Sequence, residues 1–208
     1  MALEAVNLES GNGLEAQVAE REDMTRAEVR RRKVLAAASD LFAKKGFEAT
    51  SMRDIGTAAG LMSGSLYYHF ASKEEMYVAV QDASISKIFD AVERALAVDR
   101  DPWDRLEAAA VAHCEALVDR TGFRVLVTPT FPPGLDRSVR QMLVEQRDRF
   151  ERMMIDVIAT LRLPDDIDRQ LFQKHYLGAI NWVGIWYSPD GPYTPSEIAR
   201  QIVRTLRQ

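Results

Sequence analysis

Cysteine is almost absent. Cys114 is the only one in 208 residues, so no disulfide can form within the chain, which suits a reducing cytosol. Long apolar runs are missing as well. The most apolar stretch, residues 177–187, is interrupted by Asn181 and falls short of the roughly 18 residues a membrane span requires. Bases are missing from the first twenty residues, which carry Glu4, Glu9, Glu15 and Glu20, so this stretch is not expected to act as a secretory signal. What is present, 47% hydrophobic and 28% charged residues, is the balance of an ordinary globular protein. It excludes a disordered tail, a collagen-like fibre and a disulfide scaffold. A chain of this length buries about 70% of its unfolded surface and needs no metal or crosslink to fold. A cytoplasmic protein with no membrane partner and no cofactor is expected.

The net charge of −4 is a weak argument against a nucleic-acid partner. The charge is unevenly placed, however. Residues 21–73 hold ten basic and six acidic side chains, a net of +4, with Arg30, Arg31, Arg32 and Lys33 in one run. The leader before them and the chain after them are each −4. A basic N-terminal module on an acidic remainder is the pattern of a nucleic-acid contact confined to one end. The basic run also fits a solvated helix face, and charge alone does not decide between the two.

Periodicity predicts an all-α chain of about nine helices. Residues 1–22 lack apolar spacing and contain Gly11, Asn12 and Gly13, the pattern of a flexible leader. Val34, Ala37, Ala38, Leu41 and Phe42 then mark a first helix that Gly46 ends. Thr50 or Ser51 caps a short second helix, with Asp54 in its first turn and Gly60 stopping it. A third short helix covers residues 63–70. Ser72 with Glu75 forms a capping box that opens a long helix to about Val98, and another runs from Pro102 to Val118. Residues 119–134 are broken by Gly122, Pro129, Pro132, Pro133 and Gly134, leaving Phe123 to Val127 as either a short helix or an extended piece. An apolar stripe from Val139 through Gln146 and Phe150 to Leu161 follows, and Asp165, Asp166 and Asp168 open the next helix. Thr194, Pro195 and Glu197 start the last one.

Two short helices joined at Gly60 are compact enough for a helix-turn-helix, whose second helix enters a major groove. That helix, Ser63-Gly64-Ser65-Leu66-Tyr67-Tyr68-His69-Phe70, presents small residues, hydroxyls and aromatics, which suit close approach to bases and phosphates. Lys73 adds a positive charge at the next helix start. The run Asp54-Ile55-Gly56-Thr57-Ala58-Ala59-Gly60, followed by Gly64-Ser65-Leu66-Tyr67-Tyr68-His69-Phe70-Ala71-Ser72-Lys73-Glu74-Glu75, resembles the DNA-binding domain of the TetR family of transcriptional regulators. The match covers residues 30–77. Gly56 stands where alanine is common, and Met62-Ser63 shifts the expected N-cap to Ser63. The resemblance implies DNA contacts by Ser51, Arg53, Ser63, Gly64, Ser65, Tyr67, Tyr68, His69 and Lys73. It implies a homodimer on a palindromic operator in double-stranded DNA, released by a small-molecule effector. It divides the chain into a leader (1–22), a helix-turn-helix domain (23–71) and an effector-binding and dimerisation domain (72–208).

A shorter likeness near the C-terminus, Asn181-Trp182, Trp186-Tyr187 and Gly191 through Ala199, resembles the branch of that family controlling steroid and fatty-acid degradation. It implies an acyl-CoA, fatty-acid or steroid-derived effector. Candidate effector-lining residues are Trp103, His113, Phe123, Met142, Phe150, Met153 and Trp182; the same methionines and aromatics also fit an ordinary core. Trp182 and Trp186 fit either a dimer face or the cap of a pocket. His69 has no acidic or cysteine partner at the spacing of a metal site, and Asp165, Asp166 and Asp168 fit first-turn acids complementing a helix dipole better than a cation site. A helical enzyme or carrier acting on a lipid or acyl thioester is the alternative, but three histidines and one cysteine in separate contexts assemble no catalytic set.

Overall fold

The computed structural model describes the backbone of residues 9–119, 131–133 and 135–207, and side chains from residue 27 onward apart from that of Ser63. Among them are eight helices and no strand: α1 (Glu9–Lys45), α2 (Met52–Ala59), α3 (Ser63–His69), α4 (Lys73–Leu96), α5 (Pro102–Val118), α6 (Arg137–Ala159), α7 (Arg169–Trp186) and α8 (Pro195–Leu206). The ninth candidate, Phe123 to Val127, lies outside the described residues.

Three boundaries differ from the sequence reading. Helix α1 begins at Glu9 rather than after a leader. Residues 15–22 are mostly Glu, Ala, Gln and Arg, and once a helix is nucleated each added residue gains a hydrogen bond, so apolar spacing is not required and the helix extends back through Gly11, Asn12 and Gly13. Helix α3 is capped by Met62, with no side-chain cap bond, instead of by Ser63. Asp165 and Asp166 precede α7 and only Asp168 caps it, accepting from Leu171 N–H at 2.9 Å. The Ile167 N–H bond to Pro164 O closes a turn first and delays the helix start.

Elsewhere local chemistry sets the ends as the spacing predicts. Thr194 and Glu197 form a reciprocal capping box at α8, and the Thr194 backbone N–H and hydroxyl hold the Glu197 carboxyl below its ordinary range. At α4 the box is looser: Ser72 accepts from Glu75 N–H, while the Glu75 carboxylate reaches past Ser72 to Ala71 N–H at 2.6 Å. Gly60 adopts a left-handed φ of 70°, and the pair of bonds from Gly60 N–H to Thr57 O and Leu61 N–H to Gly56 O closes the end of α2. A methyl there would meet nothing closer than Lys33 Nζ at 3.7 Å, so the cost of a side chain is conformational. Gly60→Ala is expected to lower stability by about 1 kcal/mol, read as a lower urea midpoint at unchanged slope.

Two hydrophobic cores result. The first joins α1, α2 and α3 (Val34, Phe42, Ile55, Leu66) to the start of α4 (Met76, Tyr77, Val80) and of α6 (Leu143). Phe42, Phe47 and Tyr77 pack there as a triad with ring centroids 5.1–5.7 Å apart. The second core joins the rest of α4 (Ile88, Val92) to α5, the later part of α6, α7 and α8. Helices α4 and α6 therefore belong to both.

Candidate functional site

The N-terminal head is built around short local bonds. Thr50, fully buried, donates its hydroxyl to Gly46 O at 2.8 Å and fixes the turn into α2. Ser51 is the N-cap. Its hydroxyl accepts from Asp54 N–H at 3.1 Å and donates to the Asp54 carboxylate at 2.8 Å, which holds that carboxyl below its ordinary range. The Ser51 hydroxyl is thus engaged in building the helix it was expected to present to DNA. Arg53, next to it, is exposed.

Helix α3 is anchored through Leu66, which has no exposed surface, and through Phe70 just past its end, over which the Arg31 guanidinium lies at 5.5 Å. Four residues face outward: Gly64 and Ser65 are exposed, Tyr67 is 56% and Tyr68 87% exposed; His69 is half-buried with its ring edge-on to Tyr68. A Cβ at Gly64 would meet nothing within 4 Å. Two exposed tyrosines on a seven-residue helix are a poor use of apolar surface unless something packs on them. Together with a smooth, glycine- and serine-floored start, they form a protruding ridge of the kind that fits a groove.

Lys73 behaves differently from the other expected contacts. Its ammonium donates to Phe47 O at 2.9 Å and Glu48 O at 3.5 Å, and sits 4.2 Å from the centre of the Phe47 ring. Two of its three donors are spent on the α1–α2 turn, leaving one for a phosphate. Lys73→Met, which keeps the stem and removes the charge, is expected to lower head stability by about 1–2 kcal/mol and to weaken operator binding. Denaturation with urea checks the first. For the second, the salt slope of affinity should fall by roughly two per dimer; an unchanged slope with lost stability would assign Lys73 to the turn alone.

The C-terminal body holds the other candidate set. His113 on α5 is buried, packed edge-on to Phe150 of α6 with centroids 5.1 Å apart. Burial pushes its pKa down to about 4; the Asn181 side chain pulls weakly the other way but meets neither ring nitrogen in hydrogen-bond geometry. Cys114 is a buried thiol raised by burial to about 12 and is inert as a nucleophile. Tyr176 of α7 is wholly buried with its hydroxyl unpartnered, and burial raises its pKa further. Phe150 and the partly buried Met153 join His113 in this core. Trp103 packs on Phe172 at its edge, with Arg207 above its ring. Met142 and Trp182, 50% and 61% exposed, face outward instead, and Phe123 lies outside the described residues. Trp182 and Trp186 line a groove of about 770 Å³ between α7 and α8, with Tyr193, Ile198 and Ile202. The interior polar atoms of Gln146 and Tyr176 were missed as candidates; a glutamine inside the apolar stripe of α6 is the one signal that marked them.

Comparison with known proteins agrees with this geometry. Residues 34–80 match the family described as "Bacterial regulatory proteins, tetR family", and residues 99–208 match "Tetracyclin repressor-like, C-terminal domain". The chain belongs to the TetR family of bacterial regulatory proteins. Its head is therefore a helix-turn-helix, and it is a regulator rather than an enzyme. Among curated relatives of this TetR-family chain, the "HTH-type transcriptional repressor KstR2" of Mycobacterium tuberculosis is 32% identical over 83% of this chain and 88% of its own length. The protein of the same name from Rhodococcus jostii is 33% identical over 83% and 86%. Among solved structures, the TetR-family regulator PfmR of Thermus thermophilus superposes with a TM-score of 0.69 at 29% identity, covering 83% of this chain and 96% of that one. AibR in complex with isovaleryl coenzyme A and operator DNA has the same fold, with a TM-score of 0.74 at 22% identity over 85% and 97%.

Proposed function

We propose that this TetR-family protein is a homodimeric, cytoplasmic transcriptional repressor that reads a palindromic operator with α3 and is released by a small hydrophobic or acyl-CoA-like effector bound in its body. The observation that carries the reading is the outward face of α3, where Gly64, Ser65, Tyr67 and Tyr68 are exposed on a helix anchored through Leu66. Arg53, Ser63, His69 and Lys73 flank that face, with Ser51 acting mainly through the cap. In two symmetry-related copies the α3 helices enter successive major grooves, about one helical turn apart. The α7–α8 groove, with Trp182, Ile185, Trp186 and Tyr193 exposed, supplies a self-complementary apolar surface for a four-helix interface with a second copy.

Coupling runs through α4 and α6, which contribute to both cores. Head and body divide near residue 71, with α4 starting at Lys73. A ligand that prefers the body geometry incompatible with the operator spacing shifts the population by its differential affinity, and a few kcal/mol suffices. The relatives named as KstR2 repressors and the AibR complex with an acyl-CoA and operator DNA support this class of response. No helix among the described residues is long and apolar enough to cross a membrane. Selection of bound fragments from genomic DNA, followed by gel shift with acyl-CoA and steroid ligands added, tests the reading. One palindromic sequence should be enriched and one ligand class should release it; binding without sequence preference would overturn it.

A further inference from the structure

Four buried side-chain nitrogen and oxygen atoms lack a hydrogen-bond partner among the described residues: His113 Nδ1 and Nε2, Gln146 Oε1 and the Tyr176 hydroxyl. All lie on α5, α6 and α7, and none lies in the head. Folded interiors pair the great majority of their buried polar atoms, so such a concentration in one part of one domain calls for a cause. The side chains that carry them also border one core, that of the C-terminal body. Gln146 precedes Phe150 by four residues on α6, which stacks the two on one face, and the His113 ring lies against that same Phe150. Tyr176 belongs to the same core as Phe150 and as Cys114, the residue after His113. The Asn181 amide can serve one imidazole nitrogen at most.

What these atoms are suited to hold follows from their charge and surroundings. A neutral imidazole offers one donor and one acceptor, a phenol the same, and the glutamine oxygen an acceptor. No lysine, arginine, aspartate or glutamate is buried among the described residues. The nearby charges are committed at the surface: Arg147 pairs with Asp148 and Glu151, Lys174 with Glu151, and Arg149 lies over Phe89. An anionic group placed beside His113 would be buried without a counter-charge, which is heavily penalised. A neutral oxygen at the end of an apolar chain or ring system meets both requirements, because the core that these side chains border, with Phe150, Met154, Val157 and Cys114 among its members, is otherwise apolar.

We infer that His113, Gln146 and Tyr176 form a recognition site for an uncharged hydroxyl or carbonyl oxygen at the buried end of the effector, so that oxygen-bearing ligands are selected over plain hydrocarbon ones and over those with a second carboxylate. This rests on the effector reading above, which it sharpens by naming the chemistry of the ligand's inner end.

The test uses four probes that share one headgroup: decanoyl-CoA, 9-oxodecanoyl-CoA, 10-hydroxydecanoyl-CoA and the terminally carboxylated sebacoyl-CoA. Calorimetric titration of the full-length dimer should give the oxo and hydroxy probes at least tenfold tighter binding than decanoyl-CoA, with sebacoyl-CoA weakest. Tyr176→Phe combined with Gln146→Met should bring the oxo and hydroxy probes to the affinity of decanoyl-CoA in the same variant, while operator affinity stays unchanged. Equal binding of all four probes would overturn the inference and leave the effector reading standing. Failure of all four to bind or to release operator would instead count against an acyl-CoA effector. The unliganded protein provides a separate readout: an unpartnered hydroxyl is carried at a cost, so Tyr176→Phe alone should raise Tm by about 2–4 °C. A fall in Tm would show that the hydroxyl is already satisfied, and would overturn the assignment whichever ligand binds.

Discussion

Tyr67→Ala should leave the protein folded and dimeric while weakening operator binding by about a thousandfold. The first half follows from burial. Tyr67 is 56% exposed and contributes to neither hydrophobic core, and truncating such a surface side chain usually changes stability by less than about 0.5 kcal/mol. The second half follows from symmetry. A side chain that reaches a base edge or thymine methyl is worth about 1–3 kcal/mol, and one substitution in a homodimer removes two such contacts, one per half-site. The combined loss is about 4 kcal/mol, and each 1.4 kcal/mol is roughly tenfold in affinity. Gel-shift titration at fixed salt, with Tm and sedimentation as controls, measures it. Unchanged affinity would remove the outward face of α3 from the DNA interface.

A second large effect is expected in acid. His113 has its pKa lowered by burial from 6.5 to about 4, so the folded protein keeps the imidazole neutral where the unfolded chain takes up a proton. Stability from this group is present above the unfolded pKa and is lost as pH falls from 6.5 towards 4, by roughly 3 kcal/mol in all. His113→Leu, which cannot take up that proton, should lose about 2–3 kcal/mol less than the native protein between pH 7.5 and pH 4.5. The comparison has to be made as a difference between the two proteins. Asp54 and Glu197, whose pKa values are also lowered in the fold, weaken both proteins in the same direction. Urea midpoints at the two pH values give the answer, and equal acid losses would mean that His113 titrates as an exposed histidine does.

What could be read from the residues in order was what depends on residues close in order. The caps at Ser51, Gly60 and Thr194 each involve partners within four positions; spacing identified the last two and narrowed the first to Thr50 or Ser51. The recognition-helix pattern is similarly local, because Leu66 points inward while its neighbours point out. Misreadings arose where a competing local bond intervened, as at Asp165 and Asp166, where the Pro164 turn came first. They also arose where a helix continued by cooperativity alone, as in the early residues of α1. The engagement of Lys73 with Phe47, 26 residues away, and the packing of His113 on α5 against Phe150 on α6 could not be seen in spacing. Both depend on how whole helices pack, and sequence order carries no direct signal of that.

The sharing of α4 between the two cores has a mechanical consequence. Its 24 residues make a rod of roughly 36 Å, rooted in the body at one end and carrying the head at the other. A tilt of about 7° where Ile88 and Val92 pack, roughly 25 Å from the tip, would swing the tip by about 3 Å, close to the ~3.4 Å rise of one base pair. An interior adjustment smaller than a side chain is thus geared up into a slip of about one rung on the DNA ladder, enough to take both half-sites out of step at once.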